Sequence, residues 1–297
     1  MIDIRLKVFR SVATNLSFTK ASQELFISQP AISKHIQELE REFSTRLFDR
    51  LGNKIQLTSA GKLLLDHSVR ILKDYQRLDF DMNAMQQQFK GELRIGASTT
   101  ISQYVMPEIL AAFLKAYPQI KVNMLSGNSR DIESALVSNR IDIGMVEGIS
   151  RQPQMKYSPF MRDELVAIVR NASPLAGRDE ITVDELRTLP IVLRELGSGT
   201  LDVIEKYLHQ HDCNISDLNI SMHFGSTEGI KHFVEHSDSI GIVSVRSVGK
   251  DLLAGIFHLV EINGMKMDRN FMFVEKRGET AGMAAVLKSF ITNGYSQ

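Results

Sequence analysis

At 297 residues, with 43% hydrophobic and 24% charged side chains, the chain is long enough for at least two domains and excludes collagen-like, low-complexity and disulfide-scaffold classes. Cys213 is the only cysteine, the longest apolar run (Ile109 to Leu114) is six residues against the roughly 20 of a spanning helix, and no secretory h-region opens the chain, so the expected setting is the cytoplasm, with no membrane partner. Thirty-five basic and 35 acidic side chains cancel, yet residues 1–66 carry net +3, residues 67–91 net +1 and the remainder net −4, the direction expected of a nucleic-acid reader joined to a control domain.

Leu6, Phe9, Ala13 and Leu16 recur at spacings of three and four and predict a first helix with one apolar face. Ser17 or Thr19 starts a second, continued by Phe18, Ala21 and Leu25 and closed by a turn at Phe26-Ile27. Ser28 then stands where an N-cap belongs, and Gln29-Pro30 opens a third helix where proline's missing N–H costs nothing. At 100° per residue Ile32, Ile36 and Leu39 share one face. Gln29, Pro30, Ser33, Lys34 and Gln37 fan across the adjacent face, nearly all hydrogen-bonding residues of a length suited to groove contacts. Two helices, a tight turn and a third helix with a polar face make a helix-turn-helix, although a bare amphipathic helix with a solvated side has the same spacing. The next segment favours the first reading. Leu47-Phe48-Asp49-Arg50, a Gly52-Asn53 turn and an Ile55/Leu57 alternation predict a wing before Thr58 caps the next helix, with Arg50 and Lys54 flanking its turn for phosphate or minor-groove contact.

The run SFTKASQELFISQPAISKHIQELEREFSTRLFDR, followed by LTSAGK, resembles the winged helix-turn-helix of the LysR-type transcriptional regulators over residues 1 to about 66. The resemblance implies that Gln29, Pro30, Ser33, Lys34 and Gln37 lie on the DNA-recognition helix and Arg50, Asn53 and Lys54 on the wing. One departure stands out: Ser44-Thr45 replaces the glycine-containing turn usual after the recognition helix, a change expected to alter the turn and not the reading face.

From Thr58 to about Phe89 the chain has no proline, and Ile71, Tyr75, Leu78, Met82, Met85 and Phe89 form an a/d seam extending back through Leu64. This predicts a long dimerisation helix, ended by Gln86, Gln87 and Gln88, with Gly91 as the hinge into a second domain. There Leu93–Gly96, Ile120–Leu125 and Ile141–Val146 read as strands, with helices at 101–117 and 129–139 between them. A second series has strands at 165–169, 191–193, 220–224 and 240–243 and helices near 183–188, 200–210, 227–236 and 246–254. This alternation predicts two α/β lobes with mainly parallel sheet, and no sequence repeat relates them. In the family resembled, such a domain is similar to a periplasmic binding protein whose chain crosses twice between lobes. Carried over, the crossings fall near Arg162–Leu165 and Lys266–Asn270, with the last helix returning to the first lobe.

The expected architecture is therefore α/β with an all-α winged helix-turn-helix N-terminal domain (1–58), a long coiled-coil linker helix (59–90) and a two-lobed periplasmic-binding-protein-like effector domain (91–297). Lobe 1 covers about 91–163 and 268–297, and lobe 2 about 164–267. Ligands of such sheets sit at strand carboxyl ends. Three segments qualify there: Ser98-Thr99-Thr100, Gly127-Asn128-Ser129 and Ser198-Gly199-Thr200, with Ser226 as a weaker fourth. Each also fits a plain helix cap. The GASTT and RELGSGT segments resemble those of members that respond to small inorganic or carboxylate anions, including sulfur-metabolism and carbon-fixation regulators. A basic residue often follows GSGT there; here it is Leu201.

His209, His211 and Cys213 have soft-metal spacing, as do His232 and His236, but neither set completes a site, so no metal, cofactor or catalytic residue is expected. Three classes remain open on the residues: a ligand-gated DNA-binding regulator, a solute-binding module and an enzyme on the α/β lobes. Only the first uses all three segments. The resemblance implies partners to match: double-stranded DNA with an interrupted dyad, a second copy through the linker helix, tetramers through the effector domains, RNA polymerase, and a small oxyanion or carboxylate co-inducer.

Overall fold

The computed structural model describes residues 3–51, 54–85, 89–149, 151–278 and 282–295. The chain divides into two compact units, Met1–Gln88 and Phe89–Gln297. In the first, α1 (Ile4–Asn15), α2 (Phe18–Leu25) and α3 (Gln29–Glu42) each start on a side chain that accepts from a free backbone N–H: Asp3 from Arg5, Ser17 from Lys20, Ser28 from Ala31. Phe9, Ile32, Ile36, Leu39, Leu47 and Phe48 fill the core between them. Leu16 is not part of that core: α1 has already ended, Leu16 is its left-handed cap (φ 45°) and is exposed, so the helical period that placed it inward no longer applies. Val8 and Val12 complete the buried face instead.

The wing is a hairpin of β1 (Phe48–Leu51) with β2 (Lys54–Leu57), antiparallel. Glu40 Oε1 accepts from Leu47 N at 2.8 Å and ties the hairpin to α3. Thr58 Oγ1 donates to Arg46 O and accepts from Gly61 N, which starts α4 (Ser59–Met85). A Cβ on Gly61 would stand 2.1 Å from the Leu47 carbonyl oxygen, so only glycine lets α4 approach the wing. Ser44 sits at φ 48°, the left-handed conformation glycine adopts with less strain, two residues beyond the end of α3. Along α4, Leu64 is half-buried, whereas Leu63, Ile71, Leu78 and Met82 are exposed. Phe89 was expected to close this seam but lies beyond α4, and its ring packs edge-on against Tyr117 at 5.3 Å. Gln86, Gln87 and Gln88 lie outside the described residues.

The second unit begins with β3 (Gly91–Ser98), α5 (Thr99–Tyr104), α6 (Met106–Ala116), β4 (Ile120–Gly127), α7 (Ser129–Val137) and β5 (Ile143–Val146). The helix expected over 101–117 is therefore two, broken at Val105, because Pro107 lacks the N–H and the space to continue the first. β6 (Met155–Arg170) is far longer than the apolar run at 165–169 suggested. Next come β7 (Glu180–Ile181), α8 (Val183–Thr188), β8 (Ile191–Arg194), α9 (Gly199–His209), β9 (Ile220–Phe224), α10 (Thr227–Glu235), β10 (Ile240–Ser244) and α11 (Val245–Leu253). β11 (Phe257–Ile262), β12 (Met267–Lys276) and α12 (Met283–Tyr295) close the chain. β7, β11 and β12 were not anticipated as strands; β12 lies where only a crossing was expected.

The main sheet runs β4-β3-β5-β12-β6-β10-β8-β9. Its two ends are parallel triplets, and β12 and β6 join them antiparallel from Met267↔Leu165 to Lys276↔Met155. Each triplet with its flanking helices is a lobe. The first lobe's core gathers Leu93, Ile95, Phe113, Phe271 and, from α12, Leu287 and Ile291. The second lobe's gathers Val169, Ile191, Leu193, Ile204 and Ile240. No helix among the described residues is long and apolar enough to cross a membrane.

Candidate DNA-reading face and effector site

On α3 the apolar side is taken up by the core, with Ile32, Ile36 and Leu39 at most 3% exposed. Gln29, Pro30, Lys34 and Gln37 are exposed and Ser33 is half-buried, so the five polar-face residues reach solvent on one side of a helix anchored by Ser28 and by Glu40. Arg50 and Lys54 occupy β1 and β2 beside the hairpin turn. Asn53, also expected on the wing, lies outside the described residues.

Contacts between the lobes of the second unit include two seams. At one, α7 and the loop after β5 meet the start of α9: Arg130 N donates to Gly197 O at 3.3 Å, while within the first lobe Ser129 Oγ donates to Glu147 O at 2.7 Å. A Cβ on Gly199 would lie 1.8 Å from Glu147 O and 2.8 Å from Ser129 Oγ, so the backbones of the two lobes approach as closely as glycine permits. At the other seam Tyr104 on α5 donates to Glu228 on α10, and Glu228 also accepts from Lys231 Nζ at 2.9 Å. Burial alone would raise the Glu228 carboxyl, but the Tyr104 hydroxyl and the Lys231 ammonium outweigh it and hold the group below its usual range. Burial and then the Glu228 carboxylate push the Tyr104 phenol up.

Most of the hydroxyls singled out in sequence already have local partners. Ser98 donates to Glu147, whose carboxylate is buried; Asn128 forms a capping box with Asp131; Ser198 accepts from Thr200 N; Ser226 accepts from Gly229 N. Gly127 ends β4 and is half-buried. Thr99 and Thr100 differ: both Oγ1 atoms are buried and have no hydrogen-bond partner among the described residues. Thr200 Oγ1 accepts from Arg269 Nη1 at 2.9 Å, and Arg269 Nε donates to Asp163 Oδ2 at 2.7 Å. Asp163 Oδ1 accepts from Ser244 Oγ at 2.7 Å.

Arg269 and Asp163, both buried, were missed in sequence, although they fall inside the two segments expected to cross between lobes. Ionisable residues in such short crossings were the available signal, because crossings pass the place where lobes face each other. Arg194, named only as part of RELGSGT, is 1% exposed and pairs with Glu195 at 2.8 Å. The histidine–cysteine trio separates: Cys213 lies in the second-lobe core, while His209 is exposed beside Glu205.

Residues 4–62 match the bacterial regulatory helix-turn-helix proteins of the lysR family, and residues 86–292 match the LysR substrate binding domain. The chain is 31% identical over 269 residues to the HTH-type transcriptional regulator CysL of Bacillus subtilis, covering 91% of this chain and 89% of that protein. It is likewise 31% identical over 284 residues to a probable RuBisCO transcriptional regulator of Chlorokybus atmophyticus, covering 95% and 91%. Among solved structures, the regulatory domain of Synechocystis PCC6803 CcmR in complex with 2-PG superposes with a TM-score of 0.63 at 24% identity, over 69% of this chain and 97% of that one.

The Gly199 contact gives a direct prediction. Gly199→Ala forces the start of α9 away from Glu147 and is expected to destabilise the protein by about 3 kcal/mol, the upper end of overpacking. Urea unfolding of parent and variant measures it; an unchanged midpoint would show that the seam yields freely.

Proposed function

The chain belongs to the LysR family of bacterial transcriptional regulators, and from that premise we propose that it reads an interrupted dyad through α3 and the wing, under control of a small anion held where its two lobes meet. Gln29, Pro30, Ser33 and Gln37 contact base edges in the major groove, and Lys34, Arg50, Asn53 and Lys54 contact phosphate or the minor groove. The observation that carries this is the division of α3: its apolar stripe is used in the core, which leaves the polar face to a partner. The 27 residues of α4 span about 40 Å, enough to hold two reading heads apart. Its exposed Ile71, Leu78 and Met82 pair with those of a second copy, and effector domains join dimers into tetramers. RNA polymerase is the further partner this role calls for, and the cytoplasm is where all of them meet.

The effector is an oxyanion or carboxylate enclosed by Ser98-Thr99-Thr100 and Gly127-Asn128-Ser129 of one lobe and Ser198-Gly199-Thr200 and Ser226 of the other. Support comes from the buried hydroxyls of Thr99 and Thr100, unpartnered among the described residues, from the Arg269 guanidinium bonded to Thr200, and from a fold shared with a domain that binds 2-PG. Binding closes or locks the lobes and so shifts their packing and the spacing or bend of the DNA contacts; that shift requires different affinities for the two states.

Gln29→Ala is expected to flatten discrimination between operator and random duplex, and Lys34→Ala to weaken both alike while lowering the salt slope by about 1. Fluorescence anisotropy on both duplexes decides, and equal losses for Gln29→Ala would refute the base-reading role. Met82→Glu should shift sedimentation from dimer or larger to monomer; an unaltered profile would place the interface elsewhere. A small anion at 100 times its Kd should add about 2.7 kcal/mol of stability. That thermal shift should vanish in Thr100→Ala, and a shift that survives would remove Thr100 from the site.

A further inference from the structure

Arg269 lies on β12 at the register where this strand passes between lobes, opposite Asp163 of β6. Its side chain is 2% exposed and that of Asp163 is 0% exposed. The guanidinium is only partly used: Nε holds Asp163 Oδ2, Nη1 holds Thr200 Oγ1, and Nη2 is buried with no partner among the described residues. Asp163 does not complete it: Oδ2 is met by Nε, and Oδ1 accepts from Ser244 Oγ. The Arg269 guanidinium stands 5.3 Å from the Phe271 ring, and Phe271 shares the first-lobe core with Ile101, the residue after Thr100. A run of contacts links the unpartnered Nη2 to the hydroxyls of Thr99 and Thr100, which have no partner among the described residues: Arg269 holds Thr200, Gly199 before it abuts Glu147, and the Glu147 carboxylate accepts from Ser98, the residue before Thr99.

We infer that Arg269 is the charge-bearing ligand of the effector, its Nη2 donating to an oxygen of a small oxyanion or carboxylate whose remaining oxygens reach the Thr99 and Thr100 hydroxyls. The inference rests on the proposed anion site between the lobes and deepens it. A guanidinium brings a full positive charge to the anion, which a hydroxyl cannot, so it supplies the attraction that Leu201, at the usual basic position, does not. Asp163 has a second effect. It fixes the guanidinium's orientation, and it also opposes any incoming anion with its own charge, so it limits affinity while organising the site. Arg246, with Nε 3.8 Å from Asp163, offsets part of that opposition.

The test is isothermal titration of the full-length protein with sulfate, phosphate, nitrate, formate and acetate, in parent, Arg269→Lys and Asp163→Asn forms. Lysine keeps a cation beside Asp163 but has no Nη2, so affinity for whichever anion binds the parent should fall at least tenfold. The Asp163→Asn change keeps the shape of the side chain and removes its charge, so affinity should rise several-fold. Opposite directions separate a ligand role from a structural one, which would weaken binding in both variants. Parent-like affinity in Arg269→Lys, or weaker binding in Asp163→Asn, overturns the assignment. Should Arg269→Lys fail to fold, the direction of the Asp163→Asn change decides alone. If Thr100→Ala abolishes binding while Arg269→Lys retains it, the anion site stands and Arg269 falls; if the parent binds none of the five anions, both fall.

Discussion

The antiparallel pairing of β6 with β12 is the contact on which the larger unit depends. It runs in strand order between a parallel triplet on each side, with β5 hydrogen-bonded to β12 and β10 to β6. Each strand therefore belongs to both lobes, and the two sheets are one. The bulge at Phe271/Met272 sits within this pairing, where the extra residue bends and twists the strand locally. Relative motion of the lobes has to be taken up by twisting these two strands. The side seams, Arg130 to Gly197 and Tyr104 to Glu228, then define one arrangement of the lobes among those the twist allows.

Several buried charges in the second unit are held in ion pairs. Asp163 with Arg269, Arg194 with Glu195, and Glu275 with Lys288 are ion pairs with at least one almost inaccessible member. Such pairs contribute little net stability, because desolvation offsets attraction, but breaking one leaves an uncompensated charge, so each fixes geometry. Their settings differ. Glu275–Lys288 fastens α12 to the sheet, and Arg194–Glu195 lies within the second lobe. Of these three, only Asp163–Arg269 joins the two strands shared by both lobes, and it reaches α9 through Thr200. An anion held there would join the hinge strands to the first lobe, coupling occupancy to lobe position without a long chain of contacts.

Much of the first unit was legible in sequence because its signals are local. Ser28 and Pro30 announce the start of α3, and Ile32, Ile36 and Leu39 its buried side. Leu16 misled because periodicity does not register where a helix stops; a left-handed cap has to be seen in the backbone. In the second unit the short buried strands read well, since a continuous apolar run marks a strand covered on both faces. β12 did not. Its sequence mixes Asp268, Arg269 and Asn270 with apolar residues, as suits a strand passing through a polar junction and not a core.

The family, the three-helix reading head with its polar face, and the βα alternation of the lobes are all written in residues a few positions apart, and so could be read before any fold was seen. The sequence also picked out the hydroxyl-rich strand ends. Which of those hydroxyls are already engaged depends on the packed chain: Ser98 on Glu147, Ser129 on the Glu147 carbonyl, Ser198 on its own helix, with Thr99 and Thr100 unpartnered among the described residues. The tertiary fold alone brought Arg269 to Asp163 across 106 residues of chain and Gly199 against Glu147. A hydrogen bond is satisfied by proximity, and proximity between distant segments is set by how strands cross and pair; spacing along the chain carries no record of it.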